Sequence, residues 1–356
     1  MSNKNANLFS ALEVEDEHLE ATTVPVSEVH VDALVALKIA KHANDNASSS
    51  SVTGALLGMD ADGVLQVTAS YPYLAKQRRN RDADTNNMLD EEDQAELDEN
   101  YQLDMLKCLR AVNADANTVG WYHASSLNNF LYHSWVSTQT DFQTSIVNSV
   151  VLEYDPAGSQ TGAFGLRAFR LTDEFLTLFK GKPRSAITSA AVTASGLIEE
   201  GVLVELPVSI RNSQLASAFL YSHRLTAHTV AAPMPGVARS THTAKHAAAL
   251  LDTLDAYGTE QSRYSGWHRV HLREKGRAEQ QITRKRNEAD ADDEQVEQLR
   301  KQLMAKLPTE PPKLDSILLA AQLGQSELGL SGFLAPAVLE AEIAKAAGEP
   351  AAELDQ

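Results

Sequence analysis

His123 stands out first among residues whose type suits chemistry. It lies in VGWYHASS (119–126), with Ser125 and Ser126 close behind it. One imidazole with neutral hydroxyls does not hold a zinc ion, which requires three N, O or S protein ligands. No Ser/His/Asp arrangement, P-loop or dinucleotide glycine pattern offers a rival chemistry. Cys108, the single cysteine, excludes an internal disulfide and any Cys-rich zinc module, and fits a reducing compartment. A third candidate is the segment 263–286, rich in Arg, Lys and His with Tyr264 and Trp267. Its run Arg284, Lys285, Arg286 is a possible RNA contact, and a solvated helix balancing Asp290 to Glu294 is the competing reading. The whole chain carries 31 Lys+Arg against 48 Asp+Glu, a formal net charge of -17. That excludes broad, charge-driven nucleic-acid binding and leaves only a local patch.

These residues must be positioned by recognisable elements. The 356 residues allow about two domains, or one with a long appendage. Residues 1–24 are polar and acidic and read as a disordered tail. No apolar run approaches the about 18 residues of a spanning helix, so the reading is a soluble, cytoplasmic protein with no membrane contact. A short strand follows Pro25, and Asp32 is a plausible N-cap for a helix whose stripe is Ala33, Leu34, Leu37, Ile39 and Ala40. VTGALL (52–57) and VLQVTASY (64–71) read as strands joined by a hairpin turn at ADG (61–63). Tyr101, Met105, Cys108/Leu109 and Val112 recur at helical spacing, which predicts Cys108 in a core. A short helix over 140–148 and strands at 149–154, 163–171 and 203–210 follow. The class is α/β. Beyond residue 175, helices are expected over 213–225, 240–257 and 288–306, with APMPG (232–236) and PTEPP (308–312) as breakers.

KIAKH (38–42), GALLGM (54–59) and VGWYHASS (119–126), in that order and spacing, resemble the MPN domain family, whose enzymatic members are JAMM zinc isopeptidases. The resemblance implies a mixed, curved sheet flanked by helices, followed here by a helical C-terminal extension. Those enzymes use a Glu after the early Leu-Gly, a His-x-His-Pro segment, then a Ser and an Asp. By the resemblance, Met59 stands at the Glu position, His123 at the first His, Ser125 at the second and Ser126 at the Pro. The downstream Ser and Asp places fall on His133 and Val136, or on Ser134 and Ser137 with one inserted residue. A substitute site from His123, His133 and Asp60 is disfavoured, because Asp60 is one residue out of register. The expectation is therefore no metal, no cofactor and no catalysis.

The segments 101–115, 149–156, 166–172, 205–213 and 314–323 are further similar to the family of the H-type subunit of eukaryotic translation initiation factor 3. That resemblance implies a scaffold component of a large assembly on the small ribosomal subunit, supporting messenger RNA recruitment. Its partners would be other subunits of the factor, including a second MPN-domain subunit paired through helices. A pseudo-enzyme subunit of the proteasome lid or signalosome is the alternative. The expected division is an MPN domain over 25–175, a strand and helical extension over 176–307, and a bundle helix with a mobile tail over 308–356. In that last segment Asp315 is a plausible N-cap, and Leu314, Ile317, Leu318 and Ala321 are expected to meet partner helices, with an intramolecular hairpin packed on the MPN domain as the competing reading.

Overall fold

The computed structural model describes residues 25–46, 52–74, 91–112, 114–115, 117–156, 164–180, 187–197, 201–226, 236–286 and 293–330. Eight strands form one mixed sheet: β1 (Glu28–Asp32), β2 (Val52–Ala61), β3 (Val64–Pro72), β4 (Thr118–Ala124), β5 (Val150–Tyr154), β6 (Leu166–Leu171), β7 (Leu203–Leu206) and β8 (Val208–Arg211). Their order is β7-β6-β5-β4-β2-β3-β1-β8. The β1/β3, β1/β8 and β4/β5 pairs are parallel, and the rest are antiparallel. Asp62 and Gly63, at φ 53° and 80°, make the two-residue turn between β2 and β3, a backbone that Asp-Gly adopts readily.

Period-two alternation sorts side chains onto two cores. Val150, Leu152, Tyr154, Leu166 and Ala168 face one side, with Val35, Ala36, Ile39 and Ala43 of α1 (Ala33–Asp45). Val151, Phe169 and Leu171 face the other, under α3 (His133–Ser145) and α4 (Asp173–Phe179). A smaller third cluster gathers Ala55, Leu57, Ala69 and Tyr71 with Leu106 of α2 (Glu91–Ala111). Gly120 lets β4 run tight against β5, because a Cβ there would lie 1.9 Å from the Val150 carbonyl oxygen.

Several expectations change. On α1, Leu34 and Leu37 are 61% and 65% exposed. The buried stripe runs one turn-face around, through Val35, Ala36, Ile39 and Ala43. On α2 the packed residues are Tyr101, Met105, Leu106 and Leu109, so Cys108 is exposed rather than in a core. The helix expected over 140–148 starts earlier, at His133. The sheet does not end at residue 175, since β7 pairs with β6 and β8 with β1. Strands from 203–211 thus extend the sheet at both ends.

Beyond the sheet lie α5 (Ser189–Ala194), α6 (Gln214–Thr226), α7 (Gly236–Arg286), α8 (Asp293–Ala305) and α9, over 314–330. The 240–257 and 263–286 segments belong to one 51-residue helix. The 1–24 tail, most of the 232–236 breaker and everything after 330 fall outside the described residues.

A buried histidine–glutamate network at the candidate functional site

β4 carries His123 on the same face as Trp121, and β5, paired in parallel, brings Glu153 directly opposite. His123 Nδ1 lies 2.9 Å from both Glu153 carboxylate oxygens. Ser125 Oγ donates to Glu153 Oε1 at 2.5 Å, and His123 Nε2 meets the Tyr132 hydroxyl at 3.0 Å. His123, Ser125 and Glu153 are all buried. Burial pushes the Glu153 carboxyl above its ordinary value, and the hydrogen bonds from His123 and Ser125 oppose that rise. A buried carboxylate without such donors would be strongly disfavoured.

The four side chains satisfy one another's polar atoms. A serine nucleophile needs a base within hydrogen-bond reach, itself oriented by a third group. Here Ser125 is bonded to the acid, and the outer imidazole nitrogen is engaged by Tyr132. Met59, at the expected acid/base position, is 45% exposed and can neither take nor give a proton. Asp60 accepts from Asn148. His133 and Ser134 are exposed on α3 and Ser137 is half-buried, and neither hydroxyl joins the His123 network among the described residues. No three His, Cys, Asp or Glu side chains gather as a metal requires among the described residues.

The loop after β4 is held from outside the sheet. Leu127 and Asn128 adopt φ of 65° and 54°, unusual for non-glycine residues. Asp155 accepts from the Leu127 amide at 3.2 Å. Gln322 of α9 does more: its Oε1 accepts from the amides of Leu131 at 2.9 Å and Phe130 at 3.3 Å. Its Nε2 donates to the Asn128 carbonyl at 2.5 Å.

α9 therefore docks on its own chain. Leu314 and Leu318 are buried with Trp121, Phe130, Trp135, Phe169 and Phe175, and Ile317 and Ala321 pack against them. These four positions, expected to meet partner helices, are occupied by the sheet's second core, which would otherwise lie open. The helix starts at 314, so Asp315 sits in its first turn and not at the N-cap. Arg284 and Arg286 are exposed while Lys285 is half-buried. Consecutive helical residues point about 100° apart, so the three do not make one patch.

Sequence reasoning missed Glu153 and Gln322. Glu153 had a local signal, a lone acid inside the apolar run 150–154. Gln322 had none, because its partners lie 191, 192 and 194 residues away.

This fold and site define an MPN-type domain with a self-satisfied His123–Glu153 network buried between β4 and β5. Residues 25–148 match the family model described as JAB1/Mov34/MPN/PAD-1 ubiquitin protease, and residues 159–346 match the C-terminal region of eIF3h, the H-type subunit of eukaryotic translation initiation factor 3. The chain is 30% identical to the eIF3h of Emericella nidulans, covering 88% of this chain and 94% of that protein. It is 32% identical to the eIF3h of Aspergillus clavatus (87% and 93%) and 30% to that of Neurospora crassa (87% and 93%). The chain belongs to the eIF3h family of eukaryotic translation initiation factor 3 subunits.

Proposed function

We propose that this chain is a non-catalytic scaffold subunit of translation initiation factor 3, working in the cytoplasm. It supports the factor's assembly on the small ribosomal subunit and messenger RNA recruitment. The observation that carries this is relatedness to eIF3h proteins through both halves of the chain. The match of 159–346 to the eIF3h C-terminal region favours it over a proteasome-lid or signalosome subunit. Met59 at the acid/base place, and a His123 whose two nitrogens are both engaged, support the absence of isopeptidase chemistry.

Its partners are other subunits of the factor, including a second MPN-domain subunit. Leu34 and Leu37, exposed together on α1, support pairing through that helix. Since Leu314 and Leu318 are inside, any bundle contact falls to the last turn of α9, where Leu328 is exposed.

Affinity purification from cell extract, with mass-spectrometric identification, tests the reading. Initiation factor 3 subunits should co-purify with the wild type. A Leu34→Asp/Leu37→Asp variant should lose the second MPN subunit while keeping its circular dichroism. Proteasome-lid subunits in place of initiation factor subunits, or stoichiometric zinc with ubiquitin-chain cleavage, would overturn it.

A further inference from the structure

We infer that Arg269, Arg273, Arg277 and Arg284 form one ridge along α7 that docks the phosphate backbone of an RNA strand. The inference takes the choice of RNA from the reading above, but its geometry stands by itself. Segment 263–286 holds eight Arg and Lys against two Glu, in a chain of net charge -17. At about 100° per residue, these four arginines fall within a sector of about 80°. Ser262, Gly266 and Gln280 share that sector, and no carboxylate from this segment does. All four arginines are exposed.

The opposite side of the helix is the one that packs. Ala278 is buried, and Tyr264, Trp267, His271 and Ile282 are half-buried. Trp267 Nε1 donates to the Pro308 carbonyl at 3.1 Å, and Lys313 Nζ sits 3.1 Å from the Tyr264 ring centre. The prolines that end α8 thus pin one face of α7 and aim the other at solvent. Arg269, Arg273 and Arg277 follow at i, i+4, i+8, a rise of about 6 Å per step. That step is close to the one between successive phosphates of a single strand. Arg presents a planar fork of donors to phosphate oxygens. The Arg277–Glu274 pair at 2.8 Å is exposed, and such pairs hold their partners weakly.

A ridge of this kind binds without reading sequence and with strong salt dependence. The test is fluorescence anisotropy of the full chain with a labelled polyuridine RNA of about 20 nucleotides, titrated between about 50 and 200 mM salt. Four phosphate contacts at about 0.7 each give a log–log slope near about -3, an affinity loss of about 50-fold over that range. Changing all four arginines to Gln, a good helix former, should flatten the slope and weaken low-salt binding by about 10-fold or more. A control with Lys38, Lys41, Lys107 and Arg110 changed to Gln removes the same charge from exposed sites elsewhere and should keep the slope. Equal slopes for ridge and control variants, or no RNA binding by the wild type, would overturn the inference. So would a polyglutamate peptide that binds as tightly as the RNA, which would assign the ridge to an acidic protein. None of these outcomes bears on which subunits co-purify.

Discussion

Glu153 is buried on β5 with its carboxylate shared between His123 and Ser125, and burial sets the sign of its pH dependence. Its folded value lies above the ordinary 4.5, so the folded chain holds this proton to higher pH than the unfolded chain does. Its stabilising contribution is complete below about 4.5 and declines as pH rises through the folded value. Urea unfolding from about pH 4.5 upward should therefore show the wild type losing stability relative to Glu153→Gln. The relative slope should not exceed about 1.4 kcal/mol per pH unit. Parallel curves would mean the carboxyl titrates normally.

At the scale of elements, α9 and the β4–α3 loop form one unit although most of the chain separates them. Leu318→Asp places a carboxylate among Trp121, Phe130 and Phe169. The isolated chain should lose about 4 kcal/mol, lowering Tm and near-ultraviolet dichroism with no partner present. A helix waiting free for a bundle would tolerate that change unaltered. Gln322→Leu acts more locally, leaving the amides of Phe130 and Leu131 and the carbonyl of Asn128 without their partner. A cost of about 1–3 kcal/mol is expected, seen as faster hydrogen exchange at 130 and 131 while the α1 amides keep their protection.

Across the whole molecule the sheet is a collaboration of distant segments. A chain cut after Thr172 keeps every MPN-like motif but loses β7 and β8 from the two edges. It also loses Ile187, Leu197, Val202, Leu314 and Leu318 from the second core. It should bind a hydrophobic dye and show poorly dispersed amide resonances, whereas residues 25–330 should not; sharp dispersion in the shorter chain would show that the sheet is self-sufficient. The amino-acid sequence alone determined the strands and their turn, because β-branched runs such as 150–154 and the Asp62-Gly63 pair act locally. It also determined the likeness to MPN proteins and to eIF3h, which short ordered motifs carry. Helix faces were legible only in part. Leu34, Leu37 and Cys108 fit an apolar period as well as their buried neighbours do, and only the side from which the sheet approaches separates them. Tertiary structure alone decided that Glu153 meets His123, that Gln322 grips the loop and that α9 fills the chain's own core. Those contacts join residues whose sequence separation leaves no periodic or compositional trace, so nothing short of the folded chain brings them together.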